Sequence, residues 1–311
     1  MMTRGWGVLT AGFRPVLLLF IVLAFFLSDA GAGQGAPGQP LSVFVSIPPQ
    51  KFVVKQIGGD RVKVSVLLPP GKSPATFSPS PVRMAELARA RLFFGIGVPF
   101  ENALLPKIRQ AENGLRIVDT RQGISLRRIN GEAPGAGLHH GDGGSDPHIW
   151  LNPLLVKRQA VTIATVLCEE DPAGCGTYRE NCRKLQLKLE ELHQQLSRVL
   201  APVRGKTLFV FHPAYGYFTD AYGLTQKAVE TEGKAPQGRK LAAFIARAEK
   251  QKVEAIFVQP QFDDKAARSI ARAMGGEVVI LDPLAADYME NLKDMAARIR
   301  RALLPPEKDD Q

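Results

Sequence analysis

From residue 41 onward, short apolar runs of strand period alternate with longer stretches of helical period. LSVFVSI (41–47) alternates and is rich in β-branched residues, so it predicts a buried strand ending at Pro48 and Pro49. Residues 50–57 read as a helix stopped by Gly58 and Gly59. A strand follows at 62–68, then the loop PPGKSPATFSPSP (69–81), a helix at 82–90, a strand at 92–97, a helix at 101–111 and a short strand at 115–119. Such alternation implies a parallel sheet with helices on its faces.

Residues 154–168 are periodic again, with Pro153 opening the helix and Asn152 as its N-cap. From Cys175 the positions Tyr178, Cys182, Leu185, Leu189, Leu192, Leu196 and Val199 form one apolar stripe. They predict a helix to about Leu200, on the order of 35 Å long, enough to run along a whole domain. His193 falls on its charged face and reads as a solvated residue. A second alternation then begins: strands TLFVFH (207–212), AVET (228–231), AIFV (255–258) and EVVIL (277–281), with helices at 238–251, 264–274 and 286–303. The fold class expected is α/β, with two lobes, each a mainly parallel sheet flanked by helices, joined by one long rigid helix. The first lobe covers 41–175, the connecting helix 176–201 and the second lobe 205–305.

The first residues follow neither pattern. A start that is positively charged at Arg4 and Arg14 precedes the thirteen-residue apolar run PVLLLFIVLAFFL and the small pair Ala30 and Ala32. This predicts a secretory signal over 1–32, too short in its apolar core to span a bilayer, which takes about 20 residues. Residues 33–40 read as a disordered lead-in. The mature chain is thus expected in the periplasm as a soluble monomer. Cysteines 168, 175 and 182 flank a turn holding Asp171, Pro172 and Gly174. In an oxidising compartment, two of them should pin two helix ends together. Cys168 with Cys175 is the preferred pair, and Cys182 stays unassigned. The net charge of +10 is scattered through helices that also carry acids, and aromatics make up 7% of residues, which argues against nucleic-acid binding.

Of five histidines, three lie between 139 and 148. His139 and His140 occupy the glycine-rich stretch 130–145, which reads as a mobile surface loop. His148 sits in SDPHIWLNP, between Pro147 and Pro153, where the backbone is stiff before any ligand arrives. His212 directly follows the strand from 207, and Asp282 the strand from 277. Ligands of open parallel sheets sit beyond the carboxyl ends of strands, so both project from one edge of the second lobe. If the corresponding edge of the first lobe faces it, His148, His212 and Asp282 meet in the interlobe cleft. Two imidazoles and a carboxylate suit Zn²⁺, with Mn²⁺ or Fe²⁺ as alternatives.

Together, FHPAYGYF, the long segment from Ala228 to Ala271, LDP at 281–283 and DPHIWLNP resemble the zinc- and manganese-binding proteins of bacterial ABC importers, the ZnuA/TroA-like solute-binding family (cluster A-I). The likeness spans essentially the mature chain. It implies two lobes, a rigid connecting helix, a buried metal site between the lobes and an ABC permease as partner. By position, His148 is the first-lobe histidine, His212 the second-lobe ligand and Asp282 the carboxylate. One departure stands out: where the family carries a histidine in the 69–81 loop, this chain has Ala75. Either water or another group must complete a tetrahedral ion. His140, or its neighbour His139, is the substitute: eight residues of extended chain reach about 26 Å. Ordering a glycine-rich loop costs conformational entropy, so this exchange should weaken affinity.

A metal-capturing binding protein is the leading function. A metalloenzyme is the rival, since two histidines, a carboxylate and an open position also describe hydrolytic zinc and non-haem iron sites, but no HExxH-type base accompanies them. Retuning of the cleft to another metal or solute after loss of the histidine at 75 is the third reading.

Overall fold

The inward run Val43, Phe44 and Val45 is buried, which makes β1 (Leu41–Val45) an interior strand of the first sheet. It pairs in parallel with β2 (Val62–Val66) on one side and β3 (Leu92–Gly95) on the other, and β4 (Arg116–Asp119) closes the order β2-β1-β3-β4. Between the strands run α1 (Pro48–Gly58), α2 (Pro81–Ala88) and α3 (Pro99–Gln110). This is a computed structural model, which describes residues 39–110, 114–129, 144–228, 255–262 and 275–304, with scattered positions between 242 and 273. The expected leader and most of the lead-in, and His139 and His140, lie outside the described residues.

The second sheet repeats the first. β5 (Thr207–Val210) lies between β6 (Thr225–Ala228) and β7 (Ala255–Val258), and β8 (Glu277–Ile280) completes the parallel order β6-β5-β7-β8. In both sheets the strand order reverses beside the first strand, the place at which open α/β sheets bind ligands, beyond the carboxyl ends. Of the helices expected at 238–251 and 264–274, the described residues are helical at Ala242, Ala246, Lys250, Arg268 and 271–273.

In the chain between the two sheets come α4 (Pro153–Glu170), which packs on α1, and α5 (Cys175–Leu200). Asn152 caps α4 as expected: its side chain accepts from Leu154 N at 2.9 Å, with Pro153 in the first turn. The 26 residues of α5 extend about 39 Å. Its stripe Tyr178, Cys182, Leu185, Leu189, Leu192, Leu196 and Leu200 is buried, and the helix packs on α1 of the first lobe and on the closing helix α7 (Tyr288–Leu303) of the second. A Cys168–Cys175 disulfide joins the ends of α4 and α5, and Cys182 is a buried free thiol.

Two local readings need correction. The strand expected at 228–231 begins at Thr225, because Gly223 in the left-handed region (φ 69°) ends the short helix α6 (Gly216–Tyr222) and Thr225 N donates at once to Lys206 O. His193 is not solvated: it is half-buried with its ring 5.4 Å from that of Tyr222, because α6 covers that side of α5.

Candidate metal centre

His148 is held before anything binds. Its backbone N and its ring Nδ1 both meet Asp146 Oδ1, at 2.9 and 2.7 Å. A carboxylate can only accept, so Nδ1 carries the proton in the neutral ring and Nε2 is left with its lone pair, the state a metal ligand needs. Asp146 is itself buried, with Arg127 Nε 4.0 Å from Oδ2.

The same segment ties the lobes together. Tyr217 of α6 donates from its hydroxyl to Asp146 O at 2.9 Å and accepts from Arg127 N. Burial pushes the Tyr217 phenol up to about 12, so it remains a donor throughout the neutral range. Trp150 Nε1 donates to Pro283 O at 2.7 Å, and Tyr288 of α7 donates to Trp150 O at 2.8 Å. These bonds cross between the lobes at buried positions, where a lost partner costs about 1–3 kcal/mol.

His212 follows β5 by two residues and lies against Phe262, with ring centroids 5.3 Å apart. On its other side is His148, edge to face at 5.4 Å between centroids. Both imidazoles line a cavity of about 180 Å³ between the lobes, with Ala75, Trp150, Gln259 and Gln261 around them. The family position at 75 therefore does face this cavity, and here it presents only a methyl group.

Asp282 follows β8 by two residues and borders a neighbouring cavity of about 290 Å³ with Lys72 and Leu284. Its Oδ1 accepts from Gln261 Nε2 at 2.7 Å and from Leu284 N at 2.9 Å. Gln261 lines both cavities and so stands between Asp282 and the imidazole pair. Among the described residues, no three His, Cys, Asp or Glu side chains are gathered tightly enough to hold an ion. The structure thus brings His148 and His212 together and sets Asp282 one side chain behind them.

Another acid supports the first-lobe wall. Glu101 of α3 is 2% exposed and accepts from Ser46 Oγ at 2.6 Å, Ile96 N at 2.9 Å and Gly97 N at 2.9 Å. It fixes the turn after β3 that presents Gly97 and Val98 to the cavity. Burial pushes its carboxyl above the ordinary glutamate range, against those donors.

Residues 43–302 match the family model described as zinc-uptake complex component A, periplasmic. The chain belongs to this family. Zinc-uptake component A proteins are solute-binding transport components, and the two-lobed fold described above agrees with solved members. A crystal structure of ZnuA superposes with a TM-score of 0.78 at 38% identity, covering 85% of this chain and 100% of that one. A zinc-bound deletion variant of ZnuA gives 0.78 at 39% identity, covering 86% and 99%. The high-affinity zinc uptake protein ZnuA of Yersinia pestis is 28% identical over 263 residues, 78% of this chain and 83% of the relative.

Sequence reasoning passed over Asp146, Gln259 and Gln261. Asp146 is two residues from His148, a spacing at which a side chain readily bonds its neighbour. Gln259 and Gln261 follow β7 by one and three residues, at the same sheet edge that singled out His212 and Asp282. The edge rule would have found them, but residue type drew attention to stronger ligands.

Proposed function

We propose that this protein captures a divalent transition metal, zinc foremost, in the interlobe cleft and delivers it to an ABC permease at the inner membrane. Mn²⁺ and Fe²⁺ are the alternatives. His148 and His212 are ligands and Asp282 is the carboxylate ligand; the position that Ala75 leaves falls to His140 or His139, or to another group of the cleft. The observation that carries this reading is the pair of imidazoles from different lobes meeting edge to face in a small cavity between them. Two imidazoles, one of them buried with its Nδ1 proton tied to a carboxylate, suit a borderline cation. The protein is exported by its signal segment 1–32 and acts as a monomer.

The reading is tested by elemental analysis of protein purified without chelator, beside His148→Ala. About one equivalent of zinc in the parent and little in the variant is expected. Equal metal in both would sink it. Delivery is tested by zinc accumulation in the native cells, which should fall when the binding protein is deleted.

A further inference from the structure

Gln261 offers the cavity an oxygen that neither histidine nor aspartate chemistry accounts for. Its Nε2 donates to Asp282 Oδ1 at 2.7 Å. Because a carboxylate accepts only from the NH₂ end of an amide, this bond also settles which end is oxygen. Oε1 is the other end; it is buried and accepts no hydrogen bond among the described residues. A buried carbonyl oxygen without a donor or cation is costly, and an amide whose N–H is bonded to a carboxylate has a more electron-rich oxygen. The cavity that Gln261 lines holds His148, His212 and the methyl group of Ala75.

We propose that Gln261 Oε1 is a ligand to the captured ion, occupying the coordination position that Ala75 cannot fill. This rests on the metal-capture reading given above. Asp282 then has two tasks: Oδ1 orients the amide, and Oδ2, to which neither donor bonds, serves the ion. The donor set becomes two nitrogens and two oxygens in place of three nitrogens and one oxygen. Neutral amide oxygen is harder than imidazole and suits Mn²⁺ better relative to Zn²⁺, so this cleft discriminates less sharply for zinc than a three-histidine site.

The test compares the full chain with Gln261→Met, which keeps length but removes the hard donor, and with Gln261→Glu and Gln261→His. Zinc and manganese dissociation constants come from competition with a chromophoric chelator. Gln261→Met should weaken zinc roughly 10–100-fold, Gln261→Glu should hold it within a few-fold, and Gln261→His should widen the preference for zinc. X-ray absorption of the zinc-loaded parent should count two imidazoles. An unchanged constant in Gln261→Met, or three imidazoles in the parent, would overturn the assignment. His148→Ala in the same assay separates the two claims. If it binds zinc like the parent, the cleft is not the site. If it loses zinc while Gln261→Met does not, only the Gln261 assignment falls. The spectroscopic count uses the unmodified chain and stands even if a variant fails to fold.

Discussion

The imidazoles of His148 and His212 lie edge to face, with ring centroids 5.4 Å apart and planes at 73°, although they belong to different lobes. Each is reached by a different route. His212 rides on the end of a strand, whereas His148 is locked by Asp146 and by the turn that leads into α4. Their relative position depends on bonds that cross the cleft, above all Trp150 to Pro283 and Tyr217 to Asp146.

Asp146 should act on metal affinity without touching the ion. Asp146→Ala frees His148 Nδ1 from its acceptor and is expected to weaken zinc binding roughly 10–100-fold. Calorimetric titration checks this, and His148→Ala supplies the reference for complete loss. An Asp146→Ala constant equal to the parent's would show that the bond does not orient the ring.

Acid should release the metal. Imidazoles bind cations only when neutral, and their ordinary pKa is about 6.5, so protons compete increasingly below that value. A dialysis series from pH 8 down to about 4 with zinc analysis reads the effect. Retention of zinc well below pH 5 would count against histidine ligation.

Glu101 should give stability a pH slope of unusual sign. Burial raises its carboxyl in the folded chain above the unfolded value of about 4.3. Between those two values the folded chain binds more protons than the unfolded one, so stability falls as pH rises through that window and levels off above it. Urea midpoints measured from pH 4 upward should show this decline in the parent and lose it in Glu101→Gln. A stability difference between the parent and Glu101→Gln that stays flat or grows in the parent's favour as pH rises would refute the assignment.

The Cys168–Cys175 disulfide should matter for stability and not for binding. Closing a loop with a sequence separation of 7 restricts the unfolded chain by about 2 kcal/mol. Cys168→Ala/Cys175→Ala should lower the unfolding free energy by about that amount and leave zinc affinity within two-fold, because the bond lies where α4 meets α5, away from the cleft. Cys182 is buried and its thiol is pushed up by that burial, so it should stay unmodified by thiol reagents until the chain unfolds.

The loop histidines can be assessed separately. His139→Ala/His140→Ala should weaken zinc binding if either residue reaches the ion, and an unchanged constant would remove the 130–143 segment from the site.

Much of this was legible from the chain. Strand and helix periods located both parallel sheets, the apolar stripe from Tyr178 located α5, Asn152 announced its own capping role, and cysteine spacing favoured the bridge that forms. The edge rule put His212 and Asp282 beyond strand ends, where they are found. These features follow from local backbone preference and from which face of each element must be buried, and both are written at short range in sequence. The tertiary structure alone decided that His148 touches His212, that Ala75 shares their cavity, and that Gln261 stands between them and Asp282. Those relations depend on how two sheets are turned toward each other. That angle is set by long α5 packing on both lobes and by buried hydrogen bonds across the cleft, neither of which leaves a periodic trace in the chain.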